Sequence, residues 1–167
     1  MGIKRDLLKD KLFDTKLFNT VFINPEDEDR VRREQMGTLI ELICDEKHKG
    51  SQIELFKLLK KERKAVDLLI TAISEAKEDK KKLVAACWEA DVDCDRHLPF
   101  FTNLVLEEEL TVALEALTTI ENMKGATPAP EIELCLKEAM EIYPEFEASP
   151  KGQLIADLIE VLRKWQA

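Results

Sequence analysis

Leu68-Leu69-Ile70-Thr71-Ala72-Ile73-Ser74 and, 44 positions later, Val112-Ala113-Leu114-Glu115-Ala116-Leu117-Thr118 are the stretches on which the fold turns. They align residue for residue in character, and upstream Ile53-Glu54-Leu55-Phe56 lines up with Leu98-Pro99-Phe100-Phe101 at an offset of 45. Each copy reads as an antiparallel helix pair: a short helix, a polar stretch at Lys60 to Lys64 or Glu107 to Glu109, then a longer helix. No Gly or Pro interrupts the first polar stretch, so one long helix over residues 51–77 is the alternative to the pair.

Composition agrees with helix throughout. Of 167 residues, 45% are hydrophobic and 35% charged, with 5 Gly and 6 Pro, which describes a globular chain of helix formers large enough to bury a core without metals or disulfides. The 25 basic and 34 acidic residues leave a net charge of -9, which repels nucleic acid and anionic membrane. The charge is split along the chain. Residues 1–83 carry 19 basic and 17 acidic groups, and residues 84–167 carry 6 and 17, so the molecule is acidic mainly in its second half. Cys44, Cys87, Cys94 and Cys135 form no close-spaced framework and read as reduced thiols. With no signal-like apolar core after Met1 and no apolar run long enough to span a bilayer, the expectation is a cytoplasmic protein without a membrane partner.

Punctuation sets the remaining boundaries. Asn24-Pro25 with Asp27 starts a helix expected to reach Lys47; Gly50 ends it, and Ser51-Gln52-Ile53-Glu54 is a capping box for the next. Asp95 is placed to cap the helix that carries Leu98, Phe101, Leu104 and Val105. Gly125 stops the preceding segment, and Thr127-Pro128 and Ser149-Pro150 each begin another helix. The last helix aligns Leu154, Ile155, Leu158, Ile159, Leu162 and Trp165 along one side. The echo of Lys11-Leu12-Phe13-Asp14-Thr15 in Lys16-Leu17-Phe18-Asn19-Thr20 makes the segment to Ile23 apolar nearly all round, as a capping helix or a docking arm.

The helix-pair pattern resembles the HEAT and armadillo-like repeat families, whose periods run from about 40 to 47 residues. The resemblance covers residues 51–124 and implies an all-α fold: a short right-handed stack of antiparallel helix pairs, about eight or nine helices, with an irregular helical bundle as the alternative. The domain layout expected is one helical unit over 1–167, with an arm at 1–24, a helix at 25–50, two helix pairs at 51–124 and terminal helices at 127–167. Side chains expected in the core are Leu55, Phe56, Leu59, Leu69, Ile73, Trp88, Phe101, Leu104, Leu114, Leu117, Ile120 and Leu158.

Few residue groupings suggest chemistry. Asp91-Val92-Asp93-Cys94-Asp95 opens like a calcium loop, but Arg96 and Thr102 occupy the places of the required Gly and bidentate Glu. The spacings among Cys87, Cys94 and His97 fit no closed zinc site, and two histidines give little material for triads or paired-histidine metal helices. No glycine-rich phosphate loop occurs, so no cofactor, metal or catalytic residue is assigned. Basic turns at Lys60, Lys61, Arg63 and Lys64, and at Lys77 and Lys80 to Lys82, are the only support for nucleic acid, which the overall charge disfavours.

The resemblance implies a non-enzymatic protein-interaction or adaptor module, monomer or homodimer, with a protein partner. The alternative class is a helical-bundle enzyme or ligand-binding regulator with an interhelical cleft. The polar positions Asp67, Thr71, Ser74 and Glu78, and Thr111, Glu115, Thr118 and Asn122, repeat the spacing 4, 3, 4. In a HEAT-like stack these two stripes lie side by side on the concave face, and they are the expected partner-binding residues.

Overall fold

The computed structural model describes residues 25–45, 52–61 and 65–166; the Lys11–Ile23 segment and the Gly50–Ser51 boundary lie outside them. The described residues form eight α-helices and no strand: α1 Pro25–Cys44, α2 Gln52–Lys61, α3 Ala65–Glu75, α4 Lys80–Glu89, α5 Leu98–Glu107, α6 Leu110–Glu121, α7 Ala129–Phe146 and α8 Pro150–Gln166. A short 3-10 turn, Asp95–His97, leads into α5. The stretch after Ser51 is thus two helices, and α1 ends at Cys44, short of the expected Lys47.

Each helix turns a stripe at helical spacing into one continuous core. Met36, Leu39 and Ile43 come from α1, Leu55 and Leu59 from α2, and Leu69 and Ile73 from α3. α5 is buried most completely, contributing Leu98, Phe101, Leu104, Val105 and Leu106 where α6, α7 and α8 meet around it. The α8 stripe of Ile155, Leu158, Ile159 and Leu162 closes the far end.

Three details fix the C-terminal half. The Ser149 hydroxyl accepts the Gly152 N–H at 3.0 Å, the N-cap bond expected there. Gly152 itself is required, because a Cβ at that position would lie 2.1 Å from the Phe146 carbonyl oxygen. Lys151 spans outward from the same turn, over the Phe146 ring and onto the Glu108 carbonyl, tying α8 to the α5–α6 corner.

α4, α6 and α8 pack successively into one row, with α5 and α7 packed against each other behind it; α3 packs on α4, and α1 contacts α2, α3 and α4. α3 and α6, the two helices aligned in sequence, are therefore joined through α4, which packs on both. Of the expected core residues, Leu114 is 50% exposed, and Phe56 and Trp88 are half-buried. The geometry of α6 explains Leu114. Its core arc is Val112, Ala113, Ala116, Leu117 and Ile120, and residue 114 sits about 200° from both 112 and 116.

Candidate functional site

An open cleft of about 320 Å³ lies where α1, α2, α4 and α6 meet, lined by Ile43, Cys44, Gln52, Phe56, Lys81, Lys82, Ala85, Glu89 and Glu115. Its long wall is α4, whose Lys81, Ala85 and Glu89 fall one per turn on the same side. Eight residues of helix separate Lys81 from Glu89 by about 12 Å, so the cleft is cationic at one end and anionic at the other.

Each end has its own wiring. Lys82 donates to the Cys44 carbonyl at 3.0 Å, capping the end of α1, and also lies 3.4 Å from Asp79. At the other end the Trp88 indole N–H donates to Glu115 Oε2 at 3.1 Å, fixing that carboxylate beside Glu89. Burial, with the charge of Glu115 added, pushes the Glu89 carboxyl above its ordinary value. The Cys44 thiol, in the wall, is pushed up to about 11 by burial and by Asp79, against the opposing pull of Lys82.

Of the eight residues expected to bind a partner, only Glu115 lines this cleft. Glu78 falls beyond the end of α3, in the turn before α4, and Asn122 caps the end of α6. The hydroxyl and amide donors of the stripes are used within their own helices: Thr71 to the Asp67 carbonyl at 3.0 Å, Ser74 to Ile70 at 2.8 Å, Thr118 to Leu114 at 3.0 Å and Asn122 to Thr118 at 2.8 Å. Thr111 donates to Glu109 at 2.6 Å, and Asp67 faces His97 at 3.3 Å. α4 packs on both α3 and α6, the two helices that carry most of the stripes.

The residues missed by the sequence reading are Gln52, Phe56, Lys81, Lys82 and Glu89, which approach one another only through the crossing of four helices. In the sequence alone, Lys81 and Lys82 read as part of a basic turn that could touch nucleic acid. The nearby basic positions are largely engaged by carboxylates: Lys60 with Asp91, and Lys80 with Glu108 at 2.6 Å.

The aspartates of the calcium-like stretch point to three separate tasks. Asp91 pairs with Lys60, and Asp93 accepts the Asp95 N–H at 3.2 Å. Asp95 does not cap α5. Its buried carboxylate accepts the N–H groups of Lys124 and Ala126, both at 2.9 Å, while its carbonyl accepts the Thr127 hydroxyl at 2.7 Å. That clasp holds the turn before α5 against the loop before α7, where Gly125 adopts φ +73°. Cys87 and Cys94 are buried side by side; their mutual hydrogen bond and burial push the Cys87 thiol up. All four cysteines are free, and no group of three or more His, Cys, Asp or Glu residues suited to a metal occurs among the described residues.

The architecture is all-α, and no helix among the described residues is long and apolar enough to cross a membrane. Compared with family models, curated proteins and solved structures, the chain finds no match in any of the three.

Proposed function

We propose that the protein is a non-enzymatic interaction or adaptor module that docks a segment of a protein partner in the cleft between α1, α2, α4 and α6. The observation that carries this reading is the wall of α4. Its exposed Lys81 and Glu89 stand at opposite ends of a partly apolar cleft, and neither is paired with another described residue. The HEAT-like resemblance favours the same class, since stacked helix pairs present extended surfaces to partners.

Two substitutions test it. Ala85→Trp fills the cleft, and Lys137→Glu alters α7, whose Lys137 is exposed and paired only with Glu141. Proteins captured from the native host by the wild type and by Lys137→Glu, but lost with Ala85→Trp at an unchanged melting temperature, support docking in the cleft. Capture that is indifferent to Ala85→Trp contradicts it. Charge reversal at Asp67 and Glu115 together separates the cleft from the stripes: under this reading, the Glu115 single variant accounts for the entire loss.

A further inference from the structure

Resting on that docking reading, we propose that the cleft selects an extended peptide segment bearing an acidic and a basic side chain four residues apart, with an apolar side chain midway. The acidic group meets Lys81, and the basic group meets Glu89 and Glu115. Three observations converge on this partner chemistry.

The first is spacing. An extended chain rises about 3.3 Å per residue and turns side chains i, i+2 and i+4 to the same side, so its i to i+4 span of roughly 13 Å matches the approximately 12 Å between Lys81 and Glu89. Ala85 lies midway along α4, with Phe56 and Ile43 lining the same cleft, which gives the central apolar side chain its contact surface.

The second is that α4 carries its charges against its own dipole. Lys80, Lys81 and Lys82 occupy the positive end and Glu89 the negative end, with no acidic residue in the first turn and no basic one in the last. Lys80 is compensated by Glu108 and Lys82 by Asp79 and the Cys44 carbonyl. Lys81 and Glu89 have no such partner among the described residues, which leaves both charges available to a dipolar ligand.

The third is discrimination. Two carboxylates at one end repel a polyanion and the uncompensated Lys81 ammonium at the other disfavours a polycation, so a nucleic acid, an anionic lipid surface or a purely basic peptide engages one end at the expense of the other. Burial and then the nearby Glu115 charge already disfavour the charged form of Glu89, and a basic side chain beside it relieves that cost.

Fluorescence anisotropy with the full-length chain tests this, using nonapeptides with a Glu-Ser-Leu-Ser-Arg core and controls with both charged positions Gln, both Glu or both Arg. The mixed peptide should bind about tenfold tighter than every control. Glu89→Lys should weaken it by about tenfold and make the doubly acidic peptide the best ligand. Glu89→Gln, with far-ultraviolet melts on each variant, guards against a folding artefact by weakening the mixed peptide without that gain. The inference is overturned if the neutral control binds within roughly threefold of the mixed peptide, if Glu89→Lys brings no gain for the doubly acidic one, or if no peptide binds. Loss of all binding in Ala85→Trp combined with indifference to charge leaves docking intact and removes only the charge selection. Equal binding of the mixed peptide to wild type and Ala85→Trp removes both.

Discussion

α5 and α2 are each ten residues long and bury very different shares of their side chains. α5 buries six of its ten residues, a threonine among them, and α2 buries only Leu55 and Leu59 while leaving Ile53 68% exposed. Around α5 the chain is locked by Gly152 against Phe146, by Lys151 on Glu108 and by the Asp95 clasp. Beside α2 lies the open cleft, with Gln52 and Phe56 in its lining. Under the proposed docking, the tightly held helices around α5 support the charged wall of α4 that lines the cleft.

The contrast predicts unequal costs for similar deletions. Phe101 is fully buried, so Phe101→Ala should cost about 3 to 5 kcal/mol, whereas Phe56→Ala, half-buried at the cleft, should cost about 1 to 2 kcal/mol in urea melts. Equal costs would erase the distinction between the two regions. Next in size, Gly152→Ala drives a Cβ into a backbone carbonyl and should cost about 3 kcal/mol; a neutral result would mean that α7 and α8 separate freely at that crossing. Asp95→Ala leaves the N–H groups of Lys124 and Ala126 without their acceptor and should cost about 1 to 3 kcal/mol, with faster amide exchange confined to 91–97 and 122–128.

The smallest effect belongs to the cleft and has a sign. Because burial, with the charge of Glu115 added, pushes the Glu89 carboxyl above its ordinary value, the charged form is disfavoured in the folded state relative to the unfolded chain. The penalty is fully present above the raised value and disappears as pH falls below the ordinary carboxylate range near about 4. Glu89→Gln should therefore be equal to or slightly more stable than wild type at pH 7, by no more than about 0.5 kcal/mol given its solvation, and the difference should vanish at low pH. A clearly destabilised variant at pH 7 would mean that Glu89 has a stabilising partner.

The sequence discloses what local chemistry controls. The Ser149 cap, the stop before Gly125 and the α8 stripe all depend on residues within a turn or two of one another, and each falls where its spacing places it. Leu114 and Asp95 show where that reasoning ends. Apolar residues surround most of α6, so periodicity does not select which arc faces the core, and neighbouring helices decide against Leu114. Asp95 stands where a cap belongs, yet its partners lie about 30 residues ahead in a loop that only the packing of α6 brings near. The cleft is less legible still, because its lining comes from four helices whose crossing leaves no local signature. The opposed charges on α4 are a signal that sequence alone contains, since Lys81 and Glu89 run against the helix dipole.

The chain's two tryptophans allow a direct measurement. Trp88 reaches the anionic end of the cleft through Glu115, and Trp165 lies half-buried on α8, away from the cleft lining. With nitrogen-15 in both indoles, titration of the full-length chain with the mixed-charge nonapeptide should shift the Trp88 side-chain resonance progressively to saturation and leave Trp165 in place. A shift at Trp165 with Trp88 unmoved would contradict docking in the cleft.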